Sequence, residues 1–265
     1  MKPLMRAIDA AEVPAGSFAL WWLGQAGFVF KSGSGTRIFV DPYLSNGVER
    51  AFGFKRLSLA PIDAEDVRAE WMVNSHEHLD HLDLDALPAI AAGNPGCRFA
   101  GSRSCAPLYD ACGIPPTRRV MLDAGKSFAL DGVIVHAVAA DHGELSADAL
   151  SLFFDFGKTS AFFSGDTALR LERVRACADP RPDVVLPCIN GAFGNMDARD
   201  AARLVEALAP RLAVPCHFWM FKEHGGDPEA FVRACAELCP GVEVRFVTPG
   251  EGLRVTPAAI EGIGD

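Results

Sequence analysis

Ser75-His76-Glu77-His78-Leu79-Asp80-His81-Leu82-Asp83 is the stretch whose reading decides the rest of this chain. Its core has the form H-x-H-x-D-H. The apolar run Trp71-Met72-Val73 precedes it and a helix-like run over 84–92 comes after it. It therefore falls on the loop that leaves a buried strand and enters a helix. Imidazole and carboxylate together suit a divalent ion such as Zn²⁺ or Mn²⁺. In an extended backbone His76 and His78 point to one face and can chelate one ion. Asp80 and His81, on the next turn, can then aim at a second. A single histidine on a polar loop is ordinarily solvated. Three in this spacing, joined by an Asp, require the rest of the chain to supply partners.

Three later apolar runs end in suitable residues. The run 133–140 leads into Asp141-His142-Gly143, 161–163 leads into Ser164-Gly165-Asp166-Thr167, and 212–216 ends at His217. His76, His78 and His142 then make one site, Asp80, His81 and His217 the other, with Asp166 shared. Ligands at the ends of rigid strands are how a preorganised metal site is built. His136 lies inside its run and reads as a core residue or one backing a ligand. His224, in a Gly-rich loop, reads as a substrate contact or a surface residue.

The 265 residues, 49% of them hydrophobic, are enough for a full core. Repeats, low-complexity tracts and linkers are lacking, so one domain over 1–265 is expected. Strand-like runs dominate the first third and alternate with helices afterwards. That order suggests two sheets packed face to face with helices outside, although a three-layer α/β fold fits the periodicity equally well. Helices are expected at 84–92, 102–112, 197–208 and 227–238, the third capped by Asp197 and the last opened by Asp227-Pro228. The segment 49–59 has no clean period and reads as a loop.

A formal net charge of −9 argues against nucleic acid or an anionic membrane as a partner. Residues 13–30 carry no charge, but Pro14, Gly16, Gly24 and Gly27 interrupt them, so they read as strand, turn and strand rather than a membrane span. The eight cysteines form no Cys-x-x-Cys pair and are preceded by no secretory leader, which suggests reduced thiols in a cytoplasmic protein. Cys188 and Cys216 fall near the expected site.

The ligand constellation resembles the metallo-β-lactamase superfamily, in His76-Glu77-His78-Leu79-Asp80-His81, then His142, Ser164-Gly165-Asp166-Thr167 and His217, in that order along the chain. Trp22-Leu23-Gly24-Gln25-Ala26-Gly27-Phe28, Asp41-Pro42 and 190–197 are similar to the UlaG-like branch, which contains L-ascorbate-6-phosphate lactonase. The resemblance implies an αββα sandwich of two mixed sheets with metals at one sheet edge. It also implies two divalent ions, Zn²⁺ or Mn²⁺, with Mn²⁺ favoured in the cell.

Two such ions lower the pKa of a shared water and supply hydroxide at neutral pH. Asp80 can accept the water proton besides binding metal, and Asp166 bridges. Asp41 and Asp83 are candidates to hold the imidazoles in one tautomer, with Asp83 equally suited to be only the N-cap of the helix that follows. The first expectation is a hydrolase that opens a lactone or ester of a small polar metabolite, phosphorylated or not. A phosphodiesterase acting on a nucleotide or phospholipid headgroup, and a metal-binding protein without activity, are the alternatives. Asn190, Asn195, Lys222, His224 and Arg170 are the expected substrate contacts, with Asn190, Asn195 and Lys222 forming a phosphate pocket. A small molecule is the expected partner, with self-association left open.

Overall fold

Alternating and continuous apolar runs dominate the chain, and each must bury its face against another element. In the computed structural model, which describes residues 3–264, they do so as fifteen strands. These are β1 (Phe18–Gly24), β2 (Gly27–Ser32), β3 (Arg37–Val40), β4 (Trp71–Asn74), β5 (Arg98–Gly101), β6 (Arg119–Met121), β7 (Ser127–Leu130), β8 (Val133–Ala139), β9 (Leu150–Asp155), β10 (Ser160–Phe163), β11 (Val184–Leu186), β12 (Leu212–Ala213), β13 (Glu243–Val244), β14 (Gly252–Val255) and β15 (Ile260–Ile263). One sheet has the order β15-β14-β1-β2-β3-β4-β5-β6 and the other β13-β12-β11-β10-β9-β8-β7. The helices are α1 (Pro3–Ala10), α2 (Gly47–Phe52), α3 (Leu87–Gly93), α4 (Ala106–Ala111), α5 (Leu171–Val174), α6 (Ala198–Leu208) and α7 (Pro228–Leu238).

The pleat sends alternate residues of β1 to opposite sides. Phe18, Leu20 and Trp22 join Phe28, Phe30, Phe154 and Phe163 between the sheets. Ala19, Trp21 and Leu23 join Leu4, Met5 and Ile8 of α1 and Leu87 and Ile90 of α3 on the outer side. Leu204, Val205 and Phe231, from α6 and α7, pack on the second sheet. The architecture is an αββα sandwich of two mixed sheets. The uncharged stretch 13–30 supplies β1 and β2, and among the described residues no helix is long and apolar enough to cross a membrane.

Strand direction places the site. β1 is antiparallel to β2 and β2 to β3, while β3 and β4 are parallel, so β1, β3 and β4 run the same way. In the other sheet β8 and β10 are both antiparallel to β9, and β10, β11 and β12 are parallel. The loops leaving the C-terminal ends of β1, β3 and β4 lie on one edge of the first sheet. Those leaving β8, β10, β11 and β12 lie on one edge of the second. Parallel strands in open α/β sheets carry their sites at such ends.

Some local expectations are corrected. The motif's histidines lie wholly in the bends after β4, so the loop, not strand alternation, aims His76 and His78. The segment 49–59, expected as loop, begins within α2, which ends where Gly53 takes φ 79°. The helix expected at 102–112 divides into a 3₁₀ turn, Arg103–Cys105, and α4. Asp197 does cap α6, accepting from the backbone N–H groups of Arg199 and Asp200.

Candidate metal centre

Gln25, Asp41, the 75–83 loop, His142, Asp166 and His217 all emerge on the two strand-end edges and meet. His76, His78, His142 and Asp166 form one group whose ligating atoms lie within 4.8 Å of one another, and His81, Asp166 and His217 form another. Asp166 belongs to both. A third group joins Asp80, His217 and His224. His76, His81 and His217 are all but inaccessible to solvent.

Tight backbone geometry makes this convergence possible. Gly165 has φ 58°, and a Cβ there would sit 2.6 Å from the Leu150 carbonyl oxygen, so only glycine lets Asp166 turn in after β10. Gln25, Asp41 and His217 take left-handed φ values of 51°, 45° and 60° without being glycine. Each such residue costs on the order of 1–3 kcal/mol, and such strain clusters at functional sites.

One carboxylate orients two imidazoles. His81 donates from Nδ1 to Oδ2 of Asp41 at 2.7 Å, which leaves its Nε2 facing inward. The Ser75 hydroxyl donates to the same carboxylate and accepts from Nδ1 of His76 at 2.9 Å, so His76 also presents Nε2. His78 donates from Nε2 to the Leu145 carbonyl at 3.1 Å, leaving Nδ1 for the cluster. Asn195 donates to Oδ2 of Asp166 at 2.7 Å. Asp83, the other residue expected to orient a ligand, touches no imidazole. It accepts from the backbone N–H groups of Leu44, Ser45 and Ala86 and from the Ser45 hydroxyl, which ties the helix entry to the strand-end loop after β3.

The donors suit a cation better than they suit each other. Nε2 of His76, both ring nitrogens of His142 and Oδ1 of Asp166 are buried without a hydrogen bond. Oδ1 of Asp166 lies 3.1 Å from Nε2 of His217 and 3.3 Å from Nε2 of His81, and Oδ2 lies 3.8 Å from Nε2 of His142. A four-coordinate Zn²⁺ with bonds of ~2.1 Å holds its ligands ~3.4 Å apart. Buried polar atoms are otherwise almost always paired.

Electrostatics divides the histidines. Burial, reinforced by the neighbouring His81, holds His76 well below its ordinary value. Burial opposes charge on His81 too, but Asp166, Asp80 and Asp41 outweigh it and hold His81 well above its ordinary value. His217, against the same opposition, is pushed up to about 9, mainly by Asp166. Burial and then the charge of His217 push His224 down to about 4.

A cavity of about 520 Å³ opens on His78, Asp80, His142, Asp166 and His224. Of the expected substrate contacts, His224 lines it. Asn195 is spent on Asp166. Asn190 is buried and donates to its neighbour, the Ala192 carbonyl. Arg170 is paired with Asp141 at 2.5 Å, and neither it nor the exposed Lys222 lines the cavity. The three residues expected to make a phosphate pocket therefore do not converge there. His136 backs no ligand: it bonds Ser127 at 2.6 Å beside a separate cavity of about 320 Å³. Cys188 and Cys216 bridge neighbouring backbone segments, and burial pushes both thiols up, which makes them core residues.

Sequence reasoning passed over Gln25. It is fully buried, and its Nε2 lies 2.7 Å from Oδ2 of Asp80, 2.9 Å from Nδ1 of His224 and 3.2 Å from Nε2 of His217. Its backbone carbonyl accepts from the His217 backbone N–H at 2.9 Å. Its signals were its place in a Gly-Gln-Ala-Gly turn and in the run Trp22–Phe28 that is similar to the UlaG-like branch.

A "UPF0173 metal-dependent hydrolase" of Aeropyrum pernix is 29% identical over 249 residues, covering 89% of this chain and 96% of its own. A "Probable L-ascorbate-6-phosphate lactonase UlaG" of Escherichia coli is 24% identical over 272 residues, covering 85% of this chain and 76% of its own. The solved structure of Igni18, a metallo hydrolase from Ignicoccus hospitalis, superposes with a TM-score of 0.72 at 22% identity, covering 91% of this chain and 99% of that one. The beta-lactamase superfamily domain model matches residues 19–217. That segment opens in β1, closes on His217 and takes in every clustered histidine except His224, and by it the chain belongs to the beta-lactamase superfamily.

Proposed function

We propose that this protein is a metal-dependent hydrolase that cleaves an ester or lactone at the edge where the two sheets meet. The observation that carries this reading is the pair of donor groups sharing Asp166 beneath an open cavity. His76, His78, His142 and Asp166 would hold one divalent ion, and Asp80, His81 and His217 with Asp166 would hold a second. Zn²⁺ and Mn²⁺ both suit this set of imidazole and carboxylate donors. Bound ions there supply an activated water at neutral pH and a Lewis acid for the scissile carbonyl.

The chain's own groups do the rest. Asp80, partly open to the cavity, accepts the proton that the attacking water gives up, and Gln25 holds its carboxylate in place. Asn195 fixes the Asp166 carboxylate that both donor groups share. Asp41 keeps His81 and, through Ser75, His76 in the tautomer that exposes Nε2. His224, neutral at pH 7, closes the cavity floor beside Asp80.

The test is turnover by protein loaded with Zn²⁺ or Mn²⁺, offered chromogenic esters, lactones and phosphodiesters side by side. Preferential ester or lactone cleavage that a chelator abolishes and added metal restores is the expected result. Preference for the phosphodiester would replace this reading with a phosphodiesterase, and no turnover of any would leave a metal-binding protein.

A further inference from the structure

The cavity above the donor groups has a sided chemistry. One wall is the metal cluster; the other is apolar, built by Phe52, Phe54, Phe193 and Leu145. The rings form a connected series that starts at the cluster. His224 meets Phe193 at 5.4 Å and Phe54 at 6.1 Å between centroids, Phe54 meets Phe193 at 6.4 Å, and Phe52 meets Phe54 at 6.1 Å. The outer rings and the nearby Leu145 are largely open to solvent: Phe52 is 62% exposed, Leu145 53% and Phe193 49%. Phe193 takes a left-handed φ of 53°, a strained conformation for a bulky residue.

Charge around the cavity is one-sided. Glu77, Asp80 and Asp166 line it, and among the described residues no Lys or Arg does. A phosphate or carboxylate placed against the far wall would meet Phe52, Phe54, Phe193 and Leu145 with no cationic partner among the residues that line the cavity. Specific sites for such anions are built from Arg, Lys or converging N–H groups.

We infer that the substrate is a neutral ester or lactone whose acyl part carries an apolar chain or ring, seated against Phe52, Phe54 and Phe193 while its carbonyl meets the metal cluster. This rests on the hydrolase reading and replaces the small polar metabolite, phosphorylated or not, expected from sequence. The reaction is ordinary hydrolysis: water adds to the carbonyl carbon, the C–O bond to the alkoxy oxygen breaks, and that oxygen takes the proton held on Asp80. The products are a carboxylic acid and an alcohol, or one hydroxy acid from a lactone.

The experiment uses the metal-loaded protein and p-nitrophenyl esters from acetate to hexanoate. Each methylene removed from water should raise kcat/KM by about threefold to fourfold until the cavity is filled. Phe193→Ala should flatten the series, cutting the hexanoate-to-acetate ratio about tenfold, with bound metal unchanged by elemental analysis. A γ-lactone with a butyl substituent should be preferred over the same ring bearing a phosphomonoester. A flat series, or preference for the phosphorylated lactone, overturns the inference and leaves ester hydrolysis standing. If no ester or lactone turns over, the hydrolase reading fails, and binding judges the cavity. Tighter binding of hexanoate than acetate by the metal-loaded protein would support the apolar wall, and equal binding would overturn it.

Discussion

The two walls of the cavity are built by opposite means. The cluster wall is buried and polar, and stands on strand ends: β3 leads to Asp41, β4 to the histidine loop, β10 to Asp166 and β12 to His217. The facing wall is exposed and apolar, carried by the short helix α2, the chain just after it and the turn holding Phe193. Atoms that must converge within a few tenths of an ångström belong on rigid elements. A surface that sorts substrates can sit on loops, where change disturbs little else. Chemistry and selectivity should therefore separate under mutation.

Asp166→Ala should have the largest effect, because it removes the one carboxylate common to both donor groups. Elemental analysis should find bound metal well below the wild-type content, with turnover lost. Retention of the wild-type metal content and activity would show that Asp166 is not shared. Asp41→Asn comes next. It keeps the side chain's size but weakens its acceptance from both Ser75 and His81. Removing such a backing carboxylate typically costs about 10- to 100-fold in metal affinity, measurable by chelator competition.

A pH series sharpens the comparison on the cluster side. His217 without metal holds a proton up to about 9, and His81 is held well above its ordinary value. A ligand must lose that proton before its lone pair can bind. Metal affinity should therefore rise with pH towards about 9, and uptake near neutrality should release protons. Calorimetry in buffers of different ionisation enthalpy counts them; uptake independent of buffer would contradict the arrangement.

On the facing wall effects should be smaller. Phe52→Ala should lower kcat/KM for a long-chain ester about threefold to tenfold. It should shift stability by no more than about 0.5 kcal/mol, since the ring is mostly solvated. Thermal unfolding and metal content would expose any leakage into the core. Smallest of all should be Lys222→Ala. The side chain is exposed away from the cavity, so inhibition by inorganic phosphate should stay unchanged; a loss would revive a phosphate pocket there.

The contrast also separates the contributions of each level of structure. H-x-H-x-D-H, three apolar runs ending in His142, Asp166 and His217, and Asp197 before its helix are local patterns. Periodicity and capping are written in adjacent residues, so the main strand and helix runs and the candidate donors could be read from the chain, while a three-layer fold stayed open until the resemblance to the superfamily implied the αββα sandwich. Short or weakly patterned elements were not: α1, α2, β6, β14 and β15 owe their form to packing and to strands already in place. Cooperation between distant residues was further out of reach. Gln25 meets Asp80 across 55 positions and His224 across 199, and nothing near Gln25 in sequence announces either contact. Asp83 looked as suitable as Asp41 to orient an imidazole; only the position of the β3 end gave His81 to one and Ser45 to the other. The apolar wall gathers residues from segments far apart in the chain, which a linear pattern cannot register. Residue chemistry alone determined which groups can hold a metal. Sheet register and loop course decided what stands opposite them, because that depends on distances set by the whole packed core.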